Sequence, residues 1–370
     1  MAGQKPLPKE LYARSTIPGI PDARYWGDEP PPWSESWFSA SKEELQARYP
    51  GFVGVEHNYL AISGGGANGA FGAGFLAGWT QKRTRPEFTV VTGISTGALI
   101  APFAFLGSAY DDTIEELYTC YATKDLVKQR SPLAAVTSSA MFTTQGLKAA
   151  IARYFDRRVL EAIAAECTSK GRVLNIGTTN LYALRPVIWR LANIAASGHP
   201  SALALARKVL LASTSLPMAF PPVHIGVEVG STQYKEMHVD GGATAQLFLY
   251  PTEIDYGQIL KKLDAKGSPN VYIIRNSRLE PDWETVKDRV LSIAMRTMSS
   301  LIRTQGIGDI LRVYLTTQRD GLNFHLIHIP DDFDLQPKER FDRVYMRELF
   351  QLGHSLGRSK NPWKRTPPGF

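Results

Sequence analysis

Thr92-Gly93-Ile94-Ser95-Thr96-Gly97-Ala98 is the stretch on which the reading of this chain turns. It has the form G-x-S-x-G and lies between an apolar run, Phe88 to Val91, and an apolar stretch of helical character, Ala98 to Leu106. Strand in, sharp turn, helix out is the setting of a nucleophile elbow. Such a turn strains the backbone of the serine and lifts its hydroxyl clear of the sheet. Glycines two residues to either side leave room for it. Ser95 is therefore a candidate nucleophile, although five residues of such common types carry little weight alone.

A second glycine cluster stands one unit upstream. Tyr59 to Ser63 reads as a short buried strand, and Gly64-Gly65-Gly66-Ala67-Asn68-Gly69 follows it into a helix. Adjacent glycines at a helix N-terminus let backbone N–H groups face open space, where the helix dipole favours negative charge. Acyl transfer from a serine passes through an oxyanion that such donors stabilise. The same residues also fit the dinucleotide pattern G-x-G-x-x-G, which wants an acidic residue at the end of the second strand. Here that strand end carries the elbow, and Glu87 precedes the strand. A plain tight turn explains either loop singly, but not why both occur together.

The third element is Asp240-Gly241-Gly242, a sequence that more often makes a turn than a site. It follows the extended stretch Tyr234 to Val239, which puts Asp240 at a strand end, where α/β sheets place their chemistry. Gly-Gly-Gly-x-x-Gly, Gly-x-Ser-x-Gly and Asp-Gly-Gly, in that order, resemble the patatin-like phospholipase family. Leu211 to Pro222 resembles the Ser- and Pro-containing segment that the family carries before its aspartate. The likeness spans about Tyr59 to Gly357.

The resemblance implies a Ser–Asp dyad without a histidine. Ser95 would be the nucleophile, Asp240 the base, and Gly64, Gly65 and Gly66 the oxyanion hole. The implied substrate is a lipid or phospholipid acyl ester, with no metal and no organic cofactor. One departure is Asn68, which stands where the family often has Arg or Lys. An aspartate at its usual pKa of about 4 is a poor base, and burial in a closed cleft would raise it. The two strand ends must also be neighbours, which a parallel sheet permits. Two alternatives stay open. One is a Ser-His-Asp esterase, for which His325, His328 and His354 are the histidines that follow Asp240. The other is a non-catalytic lipid-binding or storage protein on the same scaffold. His238 shares a strand face with Asp240, either as an ordinary strand residue or tuning the carboxylate.

Composition fits one large enzyme domain: 44% of the residues are hydrophobic and 21% charged. The expected fold is α/β, a three-layer sandwich with a mainly parallel central sheet flanked by helices, since apolar strands alternate with helical stretches. Arg172 to Thr178, Val271 to Arg275 and Phe324 to Ile329 are the later strands. The chain divides at 1–50, a Pro-rich arm and short helix, 51–357, the hydrolase domain, and 358–370, a basic tail. Prolines up to Pro32 argue against regular structure in the arm, while Trp26, Trp33, Trp37 and Phe38 suggest that it packs on the body. Ser41 to Glu44 forms a capping box for a short helix that Pro50 ends.

Cys120 and Cys167 have no metal-site spacing and allow at most one disulfide. No basic-then-apolar leader opens the sequence as written, and no run is long enough to span a membrane. That fits a cytoplasmic protein or an exported one with its leader removed. The net charge is +7, and from Leu335 onward eight basic residues face three acidic ones. This end suits contact with an anionic membrane surface; a solvated helix face with a frayed tail is the competing account. No motif supports nucleic-acid binding. The apolar positions from Val290 to Thr304 fit either the core or the wall of an acyl groove.

Overall fold

A computed structural model describes residues 5–131 and 138–370. Ten strands form its main sheet, numbered here along the chain: β1 (Lys5–Pro6), β2 (Arg24–Trp26), β3 (Asn58–Ile62), β4 (Val90–Ile94), β5 (Val173–Asn180), β6 (Arg185–Arg190), β7 (Val223–Val229), β8 (Thr232–Asp240), β9 (Asn270–Arg275) and β10 (Asn323–His328). The helices that bear on the site are α1 (Gly69–Gln81), α2 (Thr96–Leu106), α3 (Ala202–Ser213), α4 (Val290–Asp320) and α5 (Arg343–Arg358).

Strands β10, β9, β3, β4 and β5 pair in that order, all parallel, and β6 and β2 extend the sheet antiparallel beyond β5. β3 and β4 are buried along their whole length, as parallel strands covered on both faces must be. Their side chains divide between two cores. Leu60, Ile62 and Val91 face the helical layer of α1, α2, α3 and α5. Tyr59, Ala61 and Val90 face a second core with Ile310 and Val313 of α4 and the helix Tyr256–Lys262. The result is three layers, helix–sheet–helix, with a mostly parallel sheet in the middle. No helix among the described residues is long and apolar enough to cross a membrane.

Three expectations change. The arm is not irregular throughout: it contributes β1, β2 and the helix Ser34–Ser39. Proline lacks a donor, which bars it from a central strand but not from an edge, and β1 with Pro6 pairs with β8 alone among the described strands. The arm does pack on the body, through Arg24, which pairs with Glu236, and through Trp37, which packs against the core that holds Leu249 and Ile259. Its capping box at Ser41 and Glu44 is formed.

The C-terminal residues do not fray. Lys364 exchanges backbone hydrogen bonds with Leu326 of β10, and Trp363 stands 4.9 Å from the rings of both Phe75 and Trp79. Third, the first half of α4 is not core: Val290, Leu291, Ile293 and Leu301 are exposed. Cys120 and Cys167 are both free thiols.

The closest helix contact joins α1 to α5. A Cβ on Gly74 or Gly78 would fall 2.0–2.1 Å from carbonyl oxygens of α5. One on Gly353 or Gly357 would fall 2.1–2.3 Å from carbonyl oxygens of α1. Small residues four apart on both partners let the two backbones touch.

Candidate active site

Ser95 sits between β4 and α2 with φ +55° and ψ −123°, a conformation that L-residues avoid. The turn closes onto β3, where a Cβ at Gly97 would lie 2.2 Å from the carbonyl oxygen of Ile62. The strain is held from behind. The Ser95 N–H donates to Ser213 Oγ at 2.9 Å, and that hydroxyl donates to the Gly177 carbonyl at 2.7 Å. Ser213, at the end of α3, is wholly buried and ties the elbow to β5.

Asp240 arrives by a route the sequence did not suggest. β8 runs antiparallel to β5, pairing His238–Asp240 with Asn180–Thr178. β4 pairs with Val173–Gly177, while β6 occupies Asn175–Asn180 on the opposite edge. β4 and β8 therefore share one edge of β5 and meet end to end, Ile94 opposite Gly177 and Asp240 opposite Thr178. The next residue after Ile94 is Ser95. Its hydroxyl donates to Asp240 Oδ2 at 2.7 Å, and the Gly242 N–H donates to Oδ1 at 2.8 Å. Burial pushes the Asp240 carboxyl up to about 7, against the two hydrogen bonds that hold it down.

The glycine loop borders the same space. Gly64 is buried and gives its N–H to the Gln246 carbonyl at 3.3 Å, whereas Gly65 and Gly66 are exposed to the cleft. No acceptor for the N–H of Gly65 or Gly66 is found among the described residues. Asn276, just past β9, braces the loop. Its side-chain amide donates to the Ser63 carbonyl at 3.0 Å and accepts from the Gly72 N–H at 3.0 Å. A Cβ at Gly65 would fall 2.3 Å from the Asn276 carbonyl oxygen, so no side chain fits there. Thr96, the first residue of α2, also lines the cleft, and its N–H precedes the first helical acceptor.

The cleft encloses about 900 Å³. Leu99, Leu117, Leu147, Leu216 and Phe220 make one wall apolar. Arg275, Arg278, Arg296 and Arg303 also line the cleft, with Glu280, Asp282 and Glu339, and Arg340 lies over the Phe220 ring at 5.6 Å. Arg275 is 2% exposed, with its Nε unpartnered, as is Nε of Arg303. Asn68 accepts a hydrogen bond from the Tyr345 hydroxyl at 2.8 Å, which fastens the loop to α5.

No histidine among the described residues lines the cleft. His325 contacts Asn270 and Arg365, His328 bonds the Ile329 carbonyl, and His354 stacks near Phe350. His238 is buried between Glu236 and Thr178, at 3.1 and 3.0 Å, and bonds neither Ser95 nor Asp240. Sequence reasoning missed Asn276 and Gln246, and it singled out Leu211 to Pro222 without giving Ser213 a role. Each acts through contacts made far along the chain.

Comparison with known proteins finds no match among curated proteins. Among solved structures the chain is similar to VipD from Legionella pneumophila, 9% identical, with a TM-score of 0.39, covering 83% of this chain and 67% of that one. The family model described as Patatin-like phospholipase matches residues 60–252, which hold the glycine loop, the elbow and the Asp-Gly-Gly strand end. Because that match takes in more than half of the 370 residues, the chain belongs to the patatin-like phospholipase family.

Proposed function

We propose that this protein is a serine acyl hydrolase that cleaves lipid acyl esters through Ser95 and Asp240. The observation that carries the reading is the 2.7 Å hydrogen bond from a strained elbow serine to a buried carboxylate. In the forward step Ser95 Oγ bonds to the ester carbonyl carbon while its proton passes to Asp240 Oδ2. The carbonyl oxygen takes up negative charge beside the N–H groups of Gly65 and Gly66, with Thr96 as a third donor in reach of the same space. As the C–O bond to the alcohol breaks, Asp240 returns the proton to the departing oxygen. Water then attacks the acyl-serine as Asp240 accepts its proton, and Asp240 passes that proton to Ser95 Oγ as the bond from Oγ to the acyl carbon breaks and the fatty acid leaves.

A carboxyl pushed up to about 7 suits this exchange, because it accepts and returns a proton near neutral pH at little cost. The apolar lining fits an acyl chain, and the arginines among it fit a phosphate-bearing head group. The dyad is favoured over a Ser-His-Asp arrangement because the carboxylate meets the serine directly. The test is a hydrolysis panel of phospholipids, galactolipids and short-chain esters, with calcium and with chelator, on wild type and Ser95→Ala. A fluorophosphonate probe should label wild type and not the variant. An unlabelled, folded wild type would leave the lipid-binding alternative standing, and loss of turnover in a folded His325→Ala, His328→Ala or His354→Ala variant would favour the triad.

A further inference from the structure

The lip of the cleft carries a surface that the hydrolase reading does not use. Of thirteen exposed large apolar side chains among the described residues, six fall in one short segment: Trp283, Val286, Val290, Leu291, Ile293 and Leu301. Trp283 is 90% exposed and Val290 87%, values far beyond a partly covered core residue. Every residue in 280–291 is exposed, and none in the first sixteen residues of α4 is buried; burial on that helix begins at Gly306. About 24 Å of helix thus lies along the rim of the cleft, half-buried on one side and with apolar side chains in water on the other. Concentrations of this kind mark interaction surfaces.

Two observations say what covers it. The same segment turns its other side to the cleft, through Arg296, Ser299, Ile302 and Arg303, so the apolar surface is continuous with the mouth through which substrate enters. Its charge is mixed: between 280 and 303 stand Lys287, Arg289, Arg296 and Arg303 against Glu280, Asp282, Glu284 and Asp288. Exposed apolar side chains interleaved with charges of both signs, and a tryptophan at the margin, match the boundary between acyl chains and zwitterionic head groups.

We propose that residues 283–301 are the surface by which this protein seats itself on a phospholipid bilayer, with the mouth of its cleft facing the lipid. The proposal rests on the lipid hydrolase reading, and its test separates the two. Full-length Ser95→Ala protein is floated with phosphatidylcholine vesicles and with vesicles that also contain phosphatidylglycerol. It should float with both. The double substitution Val290→Ser/Leu291→Ser, at exposed positions outside the cleft, should weaken flotation at least about tenfold. With Ser95 intact, that double variant should lose vesicle hydrolysis by a similar factor yet cleave a soluble short-chain ester as wild type does.

Flotation without ester hydrolysis by wild type would overturn the hydrolase reading and support the surface. Hydrolysis of soluble esters without flotation would overturn the surface and leave the hydrolase. A concentration-dependent dimer abolished by the same double substitution would show that a second copy covers this face, and would also overturn the proposal.

Discussion

Asp240 ties local burial to chemistry most directly. In the proposed mechanism its carboxyl, pushed up to about 7, must be ionised to take the serine proton. The rate at low substrate should therefore rise with pH along a limb centred near 7, measurable as kcat/KM on a soluble ester. Asp240→Asn should lower turnover at least about a thousandfold. Stability moves the other way. A carboxyl whose folded pKa lies above its unfolded value favours the fold below the unfolded value near 3.8, and loses that advantage as pH rises through 7. Asp240→Asn should therefore melt higher than wild type at pH 8, with the difference shrinking toward pH 4. Gly65→Ala forces a Cβ against the Asn276 carbonyl and displaces a proposed oxyanion donor. It should cost about a hundredfold in kcat with the fluorophosphonate reaction slowed in step.

At the scale of elements, the arm and the strand that delivers Asp240 are joined by one ion pair. Arg24 of β2 donates to Glu236 of β8 at 2.8 Å, and Glu236 is fully buried. Burial alone would raise the Glu236 carboxyl, but the guanidinium and His238 hold it at about 2. A carboxyl held below its unfolded pKa stabilises the fold above about 4.5 and loses that effect as pH falls toward 2. Arg24→Ala leaves a buried charge unpaired and should cost about 3 kcal/mol at pH 7, with the loss narrowing in acid. Chemical denaturation at pH 7 and at pH 3 would measure both.

This clamp was invisible in the sequence, where Arg24 is one charge in a proline-rich arm. The elbow, the glycine loop and the Asp-Gly-Gly end were legible, because each demands particular residues at fixed short spacing. The parallel strands were legible as continuous apolar runs. The direction of β8, the strut at Ser213 and the brace at Asn276 were not, because pairing between distant segments leaves no local period. The pattern on α4 showed an apolar side, but pattern alone does not say whether protein, lipid or water lies against it.

For the molecule as a whole, the C-terminal helix is part of the site although it lies outside the matched family region. α5 grips α1 through glycines on both partners, and α1 begins at the glycine loop. Gly78→Val would drive a side chain into the His354 carbonyl, whose oxygen is 2.1 Å from the Cβ position. It should cost about 2–3 kcal/mol, seen as a lowered Tm, and reduce turnover by shifting the loop that Tyr345 holds through Asn68.

The end-to-end meeting of β4 and β8 along β5 has a further effect: the gap between hydroxyl and carboxylate is metered by a count of residues. Sliding β8 by one position would carry Asp240 about 3.3 Å along the edge and turn it to the other face of the sheet. Insertions inside β8 are therefore barred, whereas the hairpin at Gly230, with open space around it, absorbs changes in length without touching the ruler.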